Sequence, residues 1–449
     1  MAEDKKPKAN PLLTPKALQL SLSAPRCPPH GTVHRAKLVG KAVEQDIHYL
    51  IEDHDHDQAH SDYNRHSGIR EQLSHLFYNG EAPPHFVPHP HVEAGPALGD
   101  QVTRWLGTVL PLEWQHSVRD SGGFRSISDT LVTASIPLAA VTHPRVALKF
   151  GRLTRQVHRI SYGDHASQFV DMFFPPNCSN ENYDEATGLI FFVHGGAWGS
   201  GKPWFYRLVA DAFLPNGLVV AIVGYRVYPD ADASTQRDDL IRASQFLARE
   251  YPGLCGRNRT NRRYGTSVMG HSSGAHIALN MVIQNYHKNE RNAFSIDSFV
   301  GISGPYDISH HYDYEAARGV EELSPMKAVC GSTRQAFRTN TPAFILQDSL
   351  TTAQNEITKT AGLPKRIGLF HGIEDETVPF TATAECARGL RACGVDQCDE
   401  IYIPTTGHQE AVVHLMLGGP TKDAILEWMD QDLQQENGYS DCTNLRSRL

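Results

Sequence analysis

The sequence predicts an α/β protein with a mostly parallel central sheet that is flanked by helices on both faces. From about residue 155, apolar runs of strand length alternate with stretches that carry a helical pattern of apolar residues. The strand-length runs are continuously apolar, which is typical of a parallel sheet covered on both faces. A chain of 449 residues is long enough for one large domain with an N-terminal extension.

Composition and charge narrow the class of protein. Hydrophobic residues make up 40% of the chain and charged residues 20%, so a large core can form. The net charge of −8 argues against a nucleic-acid partner, which normally needs a basic face. The first residues are polar and no apolar run reaches 18 residues, so we expect neither a secretory leader nor a membrane span. A cytoplasmic location follows as an expectation, with membrane association at the periphery left open.

The first third of the chain is the hardest part to interpret. Residues 1–29 are rich in Lys and Pro and are predicted to be a disordered tail. Residues 30–150 are predicted to be an extension of unknown role, for which a lid or cap is one interpretation. Residues 30–91 hold 11 of the 24 histidines. They could bind a transition metal, but no fixed ligand spacing is present, so we expect a solvated polar segment and no metal or other cofactor.

The elements that follow define a predicted catalytic domain over residues 151–449. Six apolar runs predict buried strands: Leu189–Val193, Leu218–Val223, Ser267–Met269, Phe299–Ile302, Ile367–Phe370 and Glu400–Ile403. Helical patterns lie at Asp238–Glu250, Ser273–Tyr286, Ala382–Ala392 and Thr421–Leu433, and a short helix is predicted upstream at Arg70–Tyr78. The alternation of the two kinds of segment predicts parallel strands joined by helices.

The pentapeptide Gly270-His271-Ser272-Ser273-Gly274 fits the Gly-x-Ser-x-Gly pattern. It follows one predicted strand and precedes a predicted helix, which is the context that the pattern needs. The turn is so tight that small residues must flank the serine, whose hydroxyl then stands over the positive end of the helix. We therefore predict that Ser272 is a nucleophile; the alternative is a turn in which Ser272 only caps the helix.

A second motif, His194-Gly195-Gly196-Ala197-Trp198, follows another strand directly. Glycines let the backbone approach a ligand and turn its amides inward. We expect the amides of Gly196 and Ala197 to form an oxyanion hole with that of Ser273, while Gly195 shapes the turn. We also place Trp198 and His271 in the substrate pocket, with ordinary core packing as the alternative for Trp198.

The remaining two strand ends supply an acid and a base. Asp375 lies in the segment after Phe370, where Glu374 and Glu376 compete with it and His371 is expected to brace the loop. His408 follows Gly407 on a predicted loop, and the rival base His414 falls deeper in the next apolar segment. The chain order Ser, Asp, His is that of the α/β-hydrolase arrangement. Four motifs at four strand ends in this order are a far stronger signal than any one of them.

These motifs resemble the carboxylesterase branch of the α/β-hydrolases that includes isoprenylcysteine methylesterases and kynurenine formamidases. The resemblance also rests on Ile160–Asp164, Asp171–Pro175 and Gly224–Pro229, and it covers roughly 60% of the chain. The end of the stretch, Leu417–Asp423, is most similar to the methylesterases. The resemblance implies an α/β-hydrolase fold and a serine hydrolase that acts on a small-molecule ester through an acyl-enzyme, without a cofactor.

Three other interpretations stay open at this point. An amidase acting on N-formylkynurenine would use the same three residues. A hydrolase-like receptor without activity is a second alternative, although all three residues of the triad are present. A regulator that binds metal through the His-rich segment is a third.

Overall fold

The computed structural model describes residues 34–35, 110–130, 133, 143–256, 262–287, 294–352, 363–395 and 397–431. The predicted tail 1–29, the predicted helix Arg70–Tyr78 and nearly all of the His-rich segment lie outside these ranges. The described strands are β1 His34–Arg35, β2 His158–Ser161, β3 Phe169–Phe173, β4 Gly188–Val193, β5 Leu218–Val223, β6 Gly265–His271, β7 Ser298–Ile302, β8 Arg366–Gly372 and β9 Cys398–Ile403.

The strands form one twisted layer in the order β1-β9-β8-β7-β6-β4-β5-β3-β2. The six strands from β4 to β9 pair in parallel, whereas β1, β2 and β3 pair antiparallel at the two edges. The predicted fold class and all six predicted strands are confirmed. The antiparallel strands β2 and β3 were not predicted as strands, because Asp171 interrupts the apolar run of β3.

The described helices fall into three groups along the chain. Before the sheet lie α1 Leu112–Asp120, α2 at residues 123–130 and α3 Pro144–Gln156. Between β4 and β7 lie α4 Val209–Phe213, α5 Ala233–Glu250, α6 Pro252–Cys255 and α7 Ser273–His287. After β7 lie α8 Ile308–Ala317, α9 Met326–Val329, α10 Arg334–Thr339, α11 Pro342–Thr352, α12 Thr381–Ala392, α13 His408–Leu417 and α14 at residues 420–431. Two short 3-10 helices occupy Pro203–Tyr206 and Leu214–Asn216.

Alternate side chains of each central strand pack into two separate cores. On β4, Leu189 and Phe191 join the core beneath α5, α7 and α12, while Ile190 and Phe192 join the core beneath α3, α4, α13 and α14. Successive strand residues point to opposite faces, so both faces need apolar residues when helices cover both. This packing is the physical reason for the continuous apolar runs in the sequence.

Several elements differ in extent from the sequence prediction. The strand predicted at Ser267–Met269 extends over β6 and includes His271. The helix predicted from Asp238 begins earlier, since the Asp232 carboxylate accepts a hydrogen bond from the Thr235 amide and caps α5. The helix α3 runs across the predicted boundary at residue 150 and buries Leu153 completely.

The strand order reverses around β4, which positions the site. The chain passes from β4 to β5 on one side, then returns to β6 on the other side of β4. The carboxyl ends of parallel strands at such a reversal border a crevice in which ligands commonly bind. The residues after β4 and β6 therefore face each other across this crevice. Within the described ranges, none of the helices has both the length and the apolar character needed to cross a bilayer.

A buried ion cluster stabilises the antiparallel edge of the sheet. Asp171 on β3 is fully buried, and its carboxylate accepts hydrogen bonds from Arg159 Nε at 2.6 Å and from Arg207 Nη2 at 3.2 Å. Arg159 also lies over the Phe169 ring at 3.8 Å. A buried carboxylate is tolerated only where such partners compensate its lost hydration.

We predict that Asp171→Ala lowers the free energy of unfolding by about 3–5 kcal/mol, because it leaves the nearly buried Arg207 guanidinium without its carboxylate. Urea denaturation measures this loss. Arg159→Ala is the matched control: its side chain is about half exposed and Asp171 keeps Arg207, so the loss should be clearly smaller. Equal losses in the two variants would contradict this interpretation.

Candidate active site

Ser272 occupies a strained turn between β6 and α7. Its backbone φ of 55° lies in the left-handed region, which costs about 1–3 kcal/mol for a residue with a side chain. A Cβ on Gly270 would lie 2.6 Å from Ala275 Cα, and one on Gly274 would lie 2.3 Å from the His194 carbonyl oxygen. Both glycines are therefore required for the close approach of helix, strand and loop, as the pentapeptide predicted.

The structure brings the three predicted triad residues into one hydrogen-bonded chain. His408 Nε2 lies 2.9 Å from Ser272 Oγ, and His408 Nδ1 lies 2.7 Å from Asp375 Oδ2. Because a carboxylate can only accept, Nδ1 carries the proton and Nε2 is free to accept the serine hydroxyl proton. His408 is the first residue of α13 rather than part of a loop, and the Gly407 amide donates to Glu410 Oε2 at 2.8 Å.

The second oxygen of Asp375 is held by the loop after β8. Asp375 Oδ1 accepts hydrogen bonds from the Thr377 amide at 3.0 Å and the Val378 amide at 2.8 Å. His371 Nε2 lies 3.0 Å from the Val378 carbonyl oxygen and 3.2 Å from Asp375 Oδ2, while its Nδ1 lies 2.8 Å from Thr383 Oγ1. His371 therefore donates through Nε2 and braces the loop.

The electrostatic environment keeps Asp375 ionised. Burial by itself raises the pKa of this carboxyl, but the Coulombic effect of His408 and the hydrogen bonds from His371 and His408 outweigh it. The net pKa of Asp375 is well below its usual range. A carboxylate in this state fixes the imidazole tautomer and stabilises an imidazolium that forms beside it.

The hydrogen-bonded chain from Ser272 runs through His408 to Asp375, and the backbone atoms of the rival residues make hydrogen bonds nearby. The Glu374 amide donates to the Thr406 carbonyl oxygen at 3.1 Å, and the Glu376 carbonyl oxygen accepts from the Tyr314 hydroxyl at 2.6 Å. His414 lies further along α13, where the carbonyl oxygen of His414 accepts the Gly418 amide.

The residues 194–201, called the glycine loop below, lie against Ser272. The backbone φ is 138° at Gly196, 50° at Ala197 and 58° at Trp198, so three successive residues lie outside the ordinary range. Among the described residues, none accepts a hydrogen bond from the amides of Gly196, Ala197 or Ser273. Gly196 and Ala197 are half-buried and Ser273 is the first residue of α7, where helix amides have no partner within the helix. These three amides, next to the Ser272 turn, are therefore open to an acceptor such as an oxyanion.

Gly195 brings the glycine loop against the nucleophile. A Cβ at this position would lie 2.8 Å from the His271 carbonyl oxygen and 3.0 Å from Ser272 Cβ. Any larger residue would push the loop away from the turn at Ser272. This close approach accounts for the first of the two glycines, and the left-handed φ of Gly196 accounts for the second.

The two residues predicted for the substrate pocket are both almost completely buried. Trp198 is 1% exposed and donates through Nε1 to His276 Nδ1 at 3.1 Å. His271 is also 1% exposed, and its Nε2 donates to the His408 carbonyl oxygen at 3.2 Å. Burial, followed by the nearby His408, lowers the pKa of His271 to about 3. A contact of either side chain with a substrate stays a prediction.

Some residues that support the site were not predicted from the sequence. The Ile302 carbonyl oxygen at the end of β7 accepts the Ser272 amide at 2.8 Å and so fixes the strained turn from the neighbouring strand. Thr383 supports His371 from α12, and His276 supports Trp198 from α7. A histidine two residues after Gly274 could have pointed to His276; Ile302 and Thr383 act through contacts that only the fold creates.

The described residues contain no group of three His, Cys, Asp or Glu side chains arranged to hold a metal ion. The His-rich segment 30–91 lies outside these residues except for positions 34 and 35.

The chain is similar to known esterases. The BD-FAE family model matches residues 170–390. A probable isoprenylcysteine alpha-carbonyl methylesterase of Oryza sativa subsp. japonica is 27% identical over 248 residues, which cover 54% of this chain and 55% of that protein. The chain thus spans about half the length of that relative. A kynurenine formamidase of Salmo salar is 22% identical over 203 residues, or 44% of this chain and 58% of that protein.

Among solved structures, esterase B from Lactobacillus rhamnosis matches with a TM-score of 0.49 and 15% identity over 70% of this chain and 99% of that chain. The BD-FAE match contains the glycine loop, Ser272 and Asp375, and ends 18 residues before His408. The BD-FAE match at residues 170–390, together with the methylesterase and formamidase relatives, supports an α/β-hydrolase esterase family for this chain.

Proposed function

We propose that the protein hydrolyses carboxylic esters with Ser272 as nucleophile, His408 as general base and Asp375 as the orienting acid. One observation supports this proposal above the others. A continuous hydrogen-bonded chain joins Ser272 Oγ, His408 and Asp375, with distances of 2.9 and 2.7 Å. The imidazole tautomer in this chain is the one that accepts the serine proton, as nucleophilic acyl transfer requires.

Acylation is the first of two chemical steps. Ser272 Oγ attacks the ester carbonyl carbon while its proton moves to His408 Nε2. The carbonyl oxygen becomes an oxyanion, to which the amides of Gly196, Ala197 and Ser273 donate. The tetrahedral intermediate collapses when His408 gives the proton to the departing alkoxide. The alkoxide departs as an alcohol, and the acyl group stays bound to Ser272 Oγ.

Deacylation repeats the same sequence with water. His408 Nε2 removes a proton from the water as its oxygen attacks the acyl carbon, and the same three amides hold the second oxyanion. Collapse releases the carboxylic acid and returns the proton to Ser272 Oγ. The Asp375 carboxylate stabilises the imidazolium in both steps and is not itself protonated.

The substrate class follows from the chemistry of the site and from the names of the relatives. The names of the rice and salmon proteins specify a methylesterase and a formamidase, which both attack a carbonyl carbon. We propose a small carboxylic ester for this chain, with a methyl ester as its first candidate. A panel of short esters, long esters, prenylcysteine methyl ester and N-formylkynurenine ranks these classes by kcat/KM.

We predict that Ser272→Ala abolishes both p-nitrophenyl acetate hydrolysis and covalent labelling by a fluorophosphonate, because no oxygen remains to attack. Labelling followed by intact mass measurement checks this. Ser244→Ala is the control, since Ser244 is a buried serine on α5 outside the site and should leave both signals intact. Labelling of the Ser272→Ala protein would contradict the assignment, and an unlabelled wild-type protein would instead indicate a fold without activity.

We predict that Asp375→Asn lowers kcat by about 10⁴-fold without unfolding the protein, because an amide no longer fixes the His408 tautomer. Steady-state kinetics on the best ester of the panel measures the loss. Glu374→Gln and Glu376→Gln are matched controls from the same loop and should change kcat little. A large loss in either control with an active Asp375→Asn protein would assign the acid to another carboxylate.

The pH dependence of the reaction tests which group titrates. Asp375 has a pKa well below its usual range and His271 has a pKa of about 3, so neither gains a proton between about pH 5 and 8. We therefore expect that neither Asp375 nor His271 adds an inflection to log(kcat/KM) in this range, so that any fall towards acid has a slope of no more than one. A slope of two in the pH–rate profile would mean that a second group titrates.

A further inference from the structure

The glycine loop holds a backbone conformation that it does not favour on its own. Ala197 and Trp198 carry side chains yet lie at φ of 50° and 58°, and Gly201 lies at 95°. Residues in such conformations persist only where the surrounding structure holds them. From within the domain, the Tyr228 amide donates to the Trp198 carbonyl oxygen at 2.9 Å and Gln236 Nε2 donates to the same oxygen at 2.9 Å. These bonds fix the middle of the loop. At its end the Ser200 amide donates to the Gly196 carbonyl oxygen at 2.9 Å, while the Ser200 hydroxyl and the Gly201 amide also reach a partner outside the loop.

That partner is the helix α2 at residues 123–130 of the N-terminal extension. Ser128 Oγ lies 3.1 Å from Ser200 Oγ, and Ser200 Oγ donates to the Gly196 carbonyl oxygen at 2.9 Å. A hydroxyl has one proton, so Ser200 must accept from Ser128 when it donates to Gly196. The Ser128 hydroxyl on α2 thus donates to the Ser200 hydroxyl, which donates to the Gly196 carbonyl oxygen. Gly196 is one of the residues whose amides we propose as oxyanion donors.

Asp129 makes the second contact between α2 and the glycine loop. Its Oδ1 accepts the Gly201 amide at 3.2 Å, and its Oδ2 lies 3.0 Å from Lys202 Nζ. Asp129 is 9% exposed, so the bond to Gly201 is largely shielded from competing water. Hydrogen bonds to an ionised acceptor are stronger than those between neutral groups.

Arg125 fixes α2 to the same part of the domain. Its Nη2 donates to the carbonyl oxygens of Val227 at 2.8 Å and Tyr228 at 2.6 Å, and its Nη1 donates to Asp230 Oδ2 at 2.9 Å. Tyr228 is the residue whose amide holds Trp198. The Phe124 ring lies behind Gly199, where a Cβ would be 3.4 Å from its Cδ1. One helix therefore contacts the loop at Gly199, Ser200 and Gly201.

We propose that α2 of the N-terminal extension is a positioning element for the oxyanion hole, with Ser128 and Asp129 as positioning residues. This proposal rests on the proposed esterase function of the protein, in which the glycine loop supplies the oxyanion hole. It assigns a role to a segment that lies outside the BD-FAE match. Oxyanion donors act only at distances of about 2.7–3.1 Å from the oxyanion, so small displacements of Gly196 and Ala197 affect the transition state more than the bound substrate. The extension then affects kcat through the positions of the oxyanion donors, and the hydrogen bonds of the triad do not change.

The test compares Ser128→Ala, Asp129→Ala and Asp129→Asn with the wild-type full chain. We expect Asp129→Ala to lower kcat by between about 10- and 100-fold with KM changed little, as for other small misplacements of catalytic groups. Asp129→Asn keeps an oxygen that can accept the Gly201 amide and should recover most of kcat. Ser128→Ala should lower kcat in the same direction. His116→Ala is the control. His116 belongs to the same N-terminal extension, but its ring contacts Glu322 and does not contact the glycine loop in the structure.

Two further measurements separate positioning from general destabilisation. The affinity for a trifluoromethyl ketone, which forms a tetrahedral oxyanion on the serine, should fall in parallel with kcat/KM. Amide hydrogen exchange of the peptide that contains residues 194–201 should become faster in Asp129→Ala and stay at the wild-type rate in His116→Ala, with an unchanged thermal unfolding midpoint.

The outcomes distinguish this proposal from the esterase function. An active wild-type protein whose Ser128 and Asp129 variants keep kcat and exchange rate overturns the role of α2. A loss confined to KM also overturns it, since it would place α2 in substrate binding. A folded wild-type protein without ester hydrolysis or probe labelling overturns the proposed function, and the exchange rates still decide whether α2 holds the glycine loop.

Discussion

The left-handed backbone at Ser272 is the constraint on which the rest of the site depends. It turns the chain from β6 into α7 within one residue, which places the hydroxyl beyond the end of β6, next to His408, and the Ser273 amide at the helix start. The turn is possible only because Gly270 and Gly274 have no Cβ to meet Ala275 and the glycine loop. Its strain is balanced by the hydrogen bond from the Ser272 amide to the Ile302 carbonyl oxygen, which joins the nucleophile to the neighbouring strand.

Each of the other parts is positioned relative to that turn by the parallel sheet. The glycine loop follows β4 and Ser272 follows β6, and these two strands are neighbours in the sheet. Asp375 follows β8 and His408 follows β9, which are neighbours as well. Their carboxyl ends lie at one edge of the sheet, so short loops are enough to bring the side chains that follow β6, β8 and β9 within hydrogen-bonding distance of one another.

Much of this could be predicted from the sequence because it depends on local patterns. The continuous apolar runs predict buried parallel strands, and each motif follows one of them directly. The strand β3 was not predicted because Asp171 interrupts its apolar run. The burial of Asp171 is compensated by Arg159 and Arg207, which lie in other segments of the chain. The helices between β7 and β8 were missed for a similar reason. They bury polar residues such as His310 and Glu315, so they lack a clear apolar stripe.

The positions of charge and proton within the site could be predicted only in part. The order of Ser272, Asp375 and His408 in the chain predicts a triad, but the tautomer of His408 follows from the hydrogen bond to Asp375. Likewise, His271 is a polar residue in a motif, and only its burial between the nucleophile turn and His408 shows that it stays neutral. Burial and hydrogen-bond partners depend on the whole fold, so they cannot be predicted from a pentapeptide alone.

The contact between α2 and the glycine loop also bears on how the protein is prepared for study. Residues 128 and 200 are 72 positions apart, and eight of the nine described strands, with all three predicted triad residues, come after Pro144. A shortened protein that starts at Pro144 would look complete by every motif in the sequence and would keep its core. Its Ser200 hydroxyl and Gly201 amide would nevertheless face water, so rate constants measured on it would describe a solvated loop.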